Sequence, residues 1–198
     1  MNLPAGENTL IDAKTGARFP AAPIGGLRHS SRPLGWRGVL VESHQLQPTE
    51  LSQHTVIGHG MSVNMGPSVP FGWRGRGGWR DREIRAGESH LLTFGELNTP
   101  RWHATFEEMS IILEPTYVAD VVQDGLPAHR IEFVSQRSVA DPTIARCART
   151  FHAELTADAP NGSLYVDTVT IGLILHLLAN YGVAKPKVMA PRGKLSAF

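Results

Sequence analysis

Short apolar runs separated by glycine- and proline-containing turns fill the chain between residues 38 and 134. One run, from Met61 to Met65, alternates apolar and polar residues with the two-residue period of a β-strand. Another is interrupted by the segment from Arg74 to Gly78, which is rich in glycine and typical of a hairpin turn. Many short strands at this spacing favour a β-sandwich or a β-barrel. The 20 glycines and 14 prolines among 198 residues agree with many turns.

The last third of the chain has the pattern of two helices. Asp141-Pro142 offers an N-cap residue followed by proline at the first helical position, and apolar residues follow at helical spacing. Asn161-Gly162-Ser163 offers a second helix start, and Gly182 a natural end. We therefore expect helices over about 141–157 and 163–181, with a shorter one over 116–123.

These patterns divide the chain into four parts. Residues 1–33 carry four prolines and little periodicity, which predicts an irregular N-terminal arm. Residues 34–135 are expected to form the β-sandwich or β-barrel and residues 136–183 a helical segment. Residues 184–198 contain four basic and no acidic residues and are expected to be an exposed basic linker.

Composition excludes several classes of protein. The 19 basic and 18 acidic residues leave a net charge of +1, which argues against a strongly cationic nucleic-acid module. Cys147 is the single cysteine, so neither an internal disulfide nor a cysteine zinc cluster can form. The N-terminus lacks a signal-peptide pattern, and the apolar stretch Val169 to Ala179 is too short to span a bilayer. We therefore expect a soluble cytoplasmic protein without a membrane partner.

Strands first, two helices second and a basic linker last is an order that resembles the N-terminal regulatory domain of AraC-type transcriptional regulators. The segments that carry the resemblance are Leu34-Gly35-Trp36-Arg37-Gly38-Val39-Leu40-Val41-Glu42, Leu51-Ser52-Gln53-His54 with His59, Trp79-Arg80 leading to Arg85-Ala86-Gly87-Glu88, Arg101-Trp102, Asp141-Pro142, Ser163-Leu164-Tyr165, His176-Leu177-Leu178, and Arg192-Gly193-Lys194-Leu195-Ser196. No single motif is diagnostic, and the resemblance rests on the ordered set.

The resemblance implies an α+β fold: a cupin-like antiparallel β-barrel, or double-stranded β-helix, followed by two C-terminal α-helices. It also implies a small-molecule effector bound in the barrel and a homodimer formed through the helices. DNA would be bound only through a C-terminal domain that this chain does not contain. The expected function is effector sensing and dimerisation in a transcriptional regulator, without catalytic residues, metal or cofactor.

Candidate ligand-binding residues follow from strand parity. Phe71 and Trp73 share one face of their strand, and Trp102 shares a face with other apolar residues of another strand. Two such faces can meet inside a barrel, although a face covered by the helices gives the same pattern. His54 and His59, which lie among turn residues, are candidates for polar contacts at the rim of the pocket.

The second C-terminal helix carries more apolar surface than one barrel face needs to cover. Its candidate dimer contacts are Ile171, Ile174, Leu175 and Leu178.

Two other functions stay open. A small metal-dependent cupin enzyme would need a His/Glu ligand set, and the four residues between His54 and His59 do not give the usual spacing. A barrel filled by its own aromatic side chains would instead be an interaction domain without a ligand. The arginine-rich hairpin from Arg74 to Arg85 is interpreted as an exposed charged ribbon, and Cys147 as a small core residue.

Overall fold

Helices follow strands along this chain in an α+β arrangement, as a computed structural model shows for residues 8–22, 25–122, 131–157 and 160–183. The strands are β1 (Thr9–Asp12), β2 (Arg18–Pro20), β3 (Leu27–Ser30), β4 (Val39–Leu46), β5 (Thr49–Glu50), β6 (His54–Val56), β7 (His59–Asn64), β8 (Val69–Gly75), β9 (Gly78–Ile84), β10 (Ser89–Leu92), β11 (Leu97–Asn98), β12 (Pro100–Trp102), β13 (Phe106–Leu113) and β14 (Gln136–Val139). The helices are α1 (Pro115–Val122), α2 (Pro142–Thr156) and α3 (Gly162–Tyr181).

The strands form three sheets, in which every pairing between the strands above is antiparallel. The central sheet has the order β14-β10-β7-β13-β4-β3. The arm sheet has the order β11-β6-β1-β2, and the hairpin sheet the order β5-β12-β8-β9. The antiparallel α+β class is therefore confirmed. Among the described strands no pairing joins one sheet to another, so the strand pairings do not form one continuous closed barrel.

One face of the central sheet is covered by the helices. Cross-strand neighbours on that face are apolar and buried, as in the row Leu91, Met61, Ile111 and Val41. They share one core with Phe151 of α2 and with residues of α3. Because hydrophobic burial is the main favourable contribution to folding, this layer anchors the molecule. The opposite face of the sheet turns toward the other two sheets.

The described part of residues 1–33 is not the irregular arm that was expected. β1 pairs with β6 and with β2, and β3 pairs with β4 at the edge of the central sheet. These strands are only three or four residues long. They show little alternation because their order comes from pairing with other strands, including the distant β6, and local periodicity does not record that contribution.

The hairpin and the first helix agree with expectation. β8 and β9 pair in register from Val69 with Ile84 to Gly75 with Gly78, around the predicted glycine-rich turn. α1 spans Pro115–Val122, where 116–123 was expected, and residue 123 lies outside the described residues. Gly38 is required beneath α1: its φ is 68°, and a Cβ there would lie 2.0 Å from the ring of Tyr117.

Both C-terminal helices are confirmed, although the expected helical segment 136–183 begins with a strand, β14. The Asp141 carboxylate caps α2 by accepting hydrogen bonds from the backbone N–H groups of Thr143 and Ile144, at 2.8 and 3.2 Å. Its second oxygen accepts from His176 Nε2 and from the Tyr181 hydroxyl, both at 2.7 Å. Asp141 therefore ties the start of α2 to the end of α3. The expected linker 184–198 lies outside the described residues.

α3 corrects part of the predicted dimer surface. Ile174 and Leu178 are buried in the core of the monomer, so they are not available to a second chain. Ile171 and Leu175 are exposed. The correction has a simple cause: residues three and four apart cover adjacent parts of a helix, and an all-round apolar sequence does not reveal which part faces the core.

α3 is longer than the apolar stretch from Val169 to Ala179, which by itself is too short to span a bilayer. By length and composition its 20 residues are sufficient to cross a membrane, and it is the one helix in the described ranges for which this holds. Core helices of soluble proteins meet the same criterion, so it carries little weight.

Replacing Asp141 by alanine tests its double role. We expect Asp141→Ala to lower the free energy of unfolding by about 2–3 kcal/mol, because it removes a helix cap and leaves His176 and Tyr181 without their acceptor. Urea denaturation measures this loss. Asp120→Ala, at an exposed position of α1, is the control and should stay within about 0.5 kcal/mol of the original protein. Equal effects of the two variants would contradict the assigned role.

Candidate ligand cavity

A cavity of about 80 Å³ lies between the three sheets. Leu10, His54 and Asn98 reach it from the arm sheet, and Phe71 and Trp102 from the hairpin sheet. The central sheet contributes Ser62, His90, Glu108, Ser110 and Arg137. Part of the wall is apolar, from Val56, Phe71 and Phe106. Because an engineered cavity of about 150 Å³ binds benzene, this one suits a smaller molecule.

A polar row crosses the cavity-facing side of the central sheet. His90 pairs with Ser62, Ser62 with Ser110, Ser110 with Glu42, and Glu42 with Ser30. These five residues sit on consecutive strands, about 4.8 Å apart. Successive side chains of a strand point to opposite faces of the sheet. The neighbours of the apolar row beneath the helices therefore point to the interior face, and in this row they are polar.

Glu42 and Glu108 hold His44 between them at one side of the interior. His44 Nε2 lies 3.1 Å from Glu42 Oε2, and its Nδ1 lies 3.0 Å from Glu108 Oε2. Burial alone would lower the pKa of His44, but the hydrogen bonds and charges of the two carboxylates outweigh it and raise the pKa to about 9. Glu42 also accepts from the Asn8 backbone N–H at 3.0 Å and from the Ser30 hydroxyl at 3.2 Å. The histidine is therefore cationic near neutral pH.

His90 stands at the opposite end of the polar row and has an unpaired nitrogen. Its Nδ1 accepts a hydrogen bond from the Ser138 backbone N–H at 3.1 Å, which places the ring proton on Nε2. Nε2 is buried and has no hydrogen-bond partner among the described residues. Burial, with the charges of Arg137 and Arg82, lowers the pKa of His90 to about 3. A neutral imidazole therefore presents an unsatisfied N–H donor inside the protein.

The backbone of Ser138 holds this donor in place. Ser138 has a φ of 57°, and it is the one residue other than glycine with a positive φ among those described. Its hydroxyl donates to Glu88 Oε2 at 2.7 Å while its N–H holds His90. A left-handed serine is a conformation that the surroundings must enforce, and such strain is concentrated at functional sites.

His54 supplies the complementary group, a hydrogen-bond acceptor. Its Nδ1 donates to the Ser52 carbonyl at 2.8 Å, so the lone pair lies on Nε2. Burial, together with the charge of Arg137, lowers the pKa of His54, which keeps the ring neutral. His54 pairs with Asn98 across β6 and β11. This pairing brings it next to the third polar group of the cavity.

Arg137 is that third group. Its Nη2 donates to Glu96 Oε1 and Asn98 Oδ1, each at 3.2 Å. Its side chain is 16% exposed, and its charge influences both His54 and His90. The end of the cavity away from His44 therefore combines a guanidinium with one imidazole donor and one imidazole acceptor.

The structure places three of the five predicted ligand-binding residues at the cavity and two outside it. His54, Phe71 and Trp102 line the cavity. Phe71 stacks on His90 with ring centroids 4.4 Å apart, and the Trp102 indole N–H donates to the Gln47 carbonyl at 2.7 Å. Trp73 does not line the cavity; it is half-buried and meets His90 edge-on, with ring centroids 6.2 Å apart. Trp73 therefore lies one layer behind the wall.

His59 was placed wrongly at the rim. It lies on the helix side of the central sheet, where its ring meets Phe133 edge-on at 4.8 Å. It shares its strand face with Met61 and Val63, both in the helix-side core. The turn between β6 and β7 directs His54 and His59 to opposite sides, a relation that proximity in sequence does not reveal.

Several residues of the cavity were missed by sequence reasoning. His90 stands in an apolar context, and no motif in the sequence marks Ser62 or Ser110 as cavity residues. Arg137 was assigned to the helical segment. The available signal for His90 was the alternation of side chains along a strand. His90 lies between Ser89 and Leu91, so it points to the face of the strand opposite to theirs.

Other predicted features have clear positions. The arginines of the hairpin, at 74, 76, 80, 82 and 85, are all exposed, and so is His103. Cys147 packs at the edge of the helix-side core, and burial raises its pKa. In the described ranges no three His, Cys, Asp or Glu side chains are grouped to hold a metal ion. A second cavity of about 320 Å³ opens beside edge strand β3 and α2, near His29 and His152.

Comparison with known proteins gives distant structural likenesses. No protein-family model matches the sequence. No curated protein matches it either. Among solved structures, a cupin domain from Bordetella pertussis Tohama I is 18% identical, with a TM-score of 0.33, covering 38% of this chain and 81% of that one. A cupin-2 domain protein from Shewanella frigidimarina is 13% identical, with a TM-score of 0.36, covering 48% and 85%.

A third likeness is to an oxalate decarboxylase variant from Bacillus subtilis, 11% identical with a TM-score of 0.35. It covers 55% of this chain and 30% of the decarboxylase. The chain is thus similar to cupin domains, but at these scores none of the likenesses carries an argument about its function. The functional argument rests on the cavity.

The buried histidine predicts a pH-dependent stability. His44 has a pKa of about 9 in the folded protein and 6.5 ordinarily, so its contribution is fully present below pH 6.5 and is lost as pH rises through 9. We expect the free energy of unfolding to fall by about 2–3 kcal/mol over that interval. Urea titrations at successive pH values measure it.

His44→Gln should remove most of this pH dependence, whereas the exposed His103→Gln should retain it. A slope that is unchanged in His44→Gln would show that another group is responsible.

Proposed function

We propose that this chain is the effector-sensing and dimerisation domain of an AraC-type transcriptional regulator with a cupin-like fold. A small molecule would bind in the cavity between the three sheets. Its binding would change how the helices present a DNA-binding domain outside this chain. A regulator of this kind acts in the cytoplasm, and we propose no catalytic step, metal or cofactor. The family assignment is supported by the ordered sequence segments and by the order of strands and helices.

The observation that carries ligand binding is the unpaired Nε2 of His90, which, unlike the other two unpaired buried histidine nitrogens of the described residues, belongs to a residue that lines this cavity. Buried polar groups are almost always hydrogen-bonded, and an unsatisfied one costs about 1–3 kcal/mol. His90 lines a cavity and is held by the strained Ser138, so the protein maintains this cost in a fixed orientation. A ligand that accepts the hydrogen bond would remove the cost.

The two alternatives are weaker on specific grounds. A metal-dependent cupin enzyme requires several ligands directed at one point, and the described residues do not group in that way. An interaction domain with a filled interior does not account for a cavity of about 80 Å³ that has an unpaired donor in its wall. A small-molecule binding site accounts for both the space and the donor.

Dimerisation is proposed through an exposed stripe on α3 that consists of three apolar residues and one threonine: Leu164, Thr168, Ile171 and Leu175. The successive spacings of four, three and four residues are those of the contact positions of a coiled coil. Leu164 is 78% exposed and Leu175 52% exposed. Because a second copy presents the same stripe, two α3 helices can cover each other in an isologous interface.

A ligand screen tests the cavity. We expect at least one compound in a panel of small metabolites, none larger than benzene, to raise Tm in a thermal-shift assay, because a ligand that binds only the folded state stabilises it. The same compound should change tryptophan fluorescence through Trp102. Trp102→Ala should weaken binding by a few kcal/mol at most, which is the loss of one aromatic wall.

Trp36→Phe is the matched control, since Trp36 packs against Phe151 of α2, away from the cavity. It should leave both affinity and fluorescence response intact. A panel without any binder, or a binder indifferent to Trp102, would contradict the proposal.

Sedimentation analysis tests the dimer. The purified chain should associate reversibly, and Leu175→Asp should shift it to monomer, because a buried unpaired carboxylate is costly at an apolar interface. Leu97→Asp, at an exposed leucine of β11, is the control and should not change association. A chain that stays monomeric at high concentration would rule out this interface.

The regulator assignment has its own test in the gene. The reading frame beyond residue 198 should encode about 100 further residues with two helix-turn-helix units, and residues 1–198 alone should not bind DNA in a sequence-dependent way. Specific shifts of duplex DNA by this chain would contradict the assignment.

A further inference from the structure

The polar groups of the cavity are arranged to recognise one class of molecule. We propose that the cavity binds a short hydroxycarboxylate, with its carboxylate held by Arg137 and His90 and its hydroxyl donating to His54. This inference rests on the proposed function and specifies its ligand. The argument uses the kind of hydrogen-bonding group at each position, the charge at each end and the available volume.

The first step is the donor set. Arg137 uses Nη2 for both of its hydrogen bonds, to Glu96 and Asn98. His90 adds an N–H donor without a partner among the described residues. A guanidinium and a neutral N–H donor together are suited to a carboxylate, because charge-assisted hydrogen bonds to carboxylates are the strong ones. The charge of Arg137 supports this choice, since it contributes to lowering the pKa of both His54 and His90.

The second step is the acceptor. His54 is held with its proton on Nδ1 by the Ser52 carbonyl, so Nε2 offers a lone pair. A carboxylate without a hydroxyl has nothing to donate to that nitrogen. A ligand that satisfies the cavity therefore needs an O–H group beside its carboxylate.

The third step is the direction of binding. Glu108 also lines the cavity, and the two carboxylates of Glu42 and Glu108 share a single cation, His44, so this end still disfavours an anion. Glu42 lies three strands from His90 along the polar row, at about 14 Å. At the other end one guanidinium faces one carboxylate, Glu96, and His90 adds an N–H donor, so the bound carboxylate faces Arg137 and His90.

The fourth step is size and apolar contact. The cavity of about 80 Å³ is roughly half the volume of one that takes benzene. Val56, Phe71 and Leu10 form part of its wall, and these side chains suit a CH or CH₂ group. Glycolate, the shortest hydroxycarboxylate, meets all four conditions.

Isothermal titration calorimetry with the full chain tests the proposal, with glycolate as the probe. Acetate lacks the hydroxyl, ethylene glycol lacks the carboxylate, and bicarbonate lacks the CH₂ group. We expect glycolate to bind one to one and each of the other three to bind about tenfold or more weakly, because each leaves one part of the site unsatisfied.

Variants assign the contacts. His90→Phe and Arg137→Gln should each weaken glycolate binding by at least tenfold. His54→Phe should remove the preference for glycolate over acetate while acetate still binds. His103→Phe and Arg80→Gln, both at exposed positions, are the matched controls and should bind as the original protein does. Arg137→Lys keeps the charge and should retain part of the affinity, so a folding defect in Arg137→Gln does not remove the test.

The outcomes separate this inference from the proposed function. Equal affinity for glycolate and acetate, tighter binding of bicarbonate, or glycolate binding unaffected by His90→Phe and Arg137→Gln would overturn the hydroxycarboxylate. If a neutral compound binds instead and His90→Phe abolishes its binding, the hydroxycarboxylate falls while the sensor cavity stands. If neither glycolate nor any compound of the wider panel binds, both proposals fall.

Discussion

The central sheet is covered on both faces, and this constraint shapes the rest of the molecule. Helices α2 and α3 cover one face with an apolar core, while the arm and hairpin sheets enclose the other. Polar side chains that are buried on the enclosed face are largely shielded from bulk water, so each of them needs an internal partner. Glu42, His44 and Glu108 meet this need among themselves. His90 does not, and of the buried histidine nitrogens without a partner among the described residues it is the one whose residue lines this cavity.

The cavity and the helices are joined by a very short length of chain. Arg137 and Ser138 belong to β14, and Asp141 follows three residues after Ser138. Asp141 caps α2 and also accepts hydrogen bonds from His176 and Tyr181 of α3. In the proposed function, the segment from Arg137 to Asp141 couples the cavity to the helices. A ligand that binds better to one position of β14 than to another shifts the preferred position of α2 and α3.

How far the sequence predicts this structure depends on the kind of information involved. Local signals were sufficient for α2, whose Asp141-Pro142 start has a direct physical basis, and for the hairpin from Val69 to Ile84. Strand parity placed Phe71 and Trp102 in the interior. Long-range pairing was invisible: β1 pairs with the distant β6, and Arg137 reaches the cavity through a strand next to β10. Similarly, Ile174 and Ile171 differ only in which side of α3 meets the core.

The small volume of the cavity limits the affinity that any ligand bound in it can reach. The best small ligands gain about 1.5 kcal/mol per non-hydrogen atom, so a molecule of about five such atoms gains at most about 7 kcal/mol. That corresponds to a dissociation constant in the micromolar range or weaker. Apolar area is too small in such a cavity to supply specificity, and the polar groups must supply it instead. A ligand that leaves His90, His54 or Arg137 unsatisfied loses much of its binding energy, whereas one that pairs with all three is favoured over molecules of the same size.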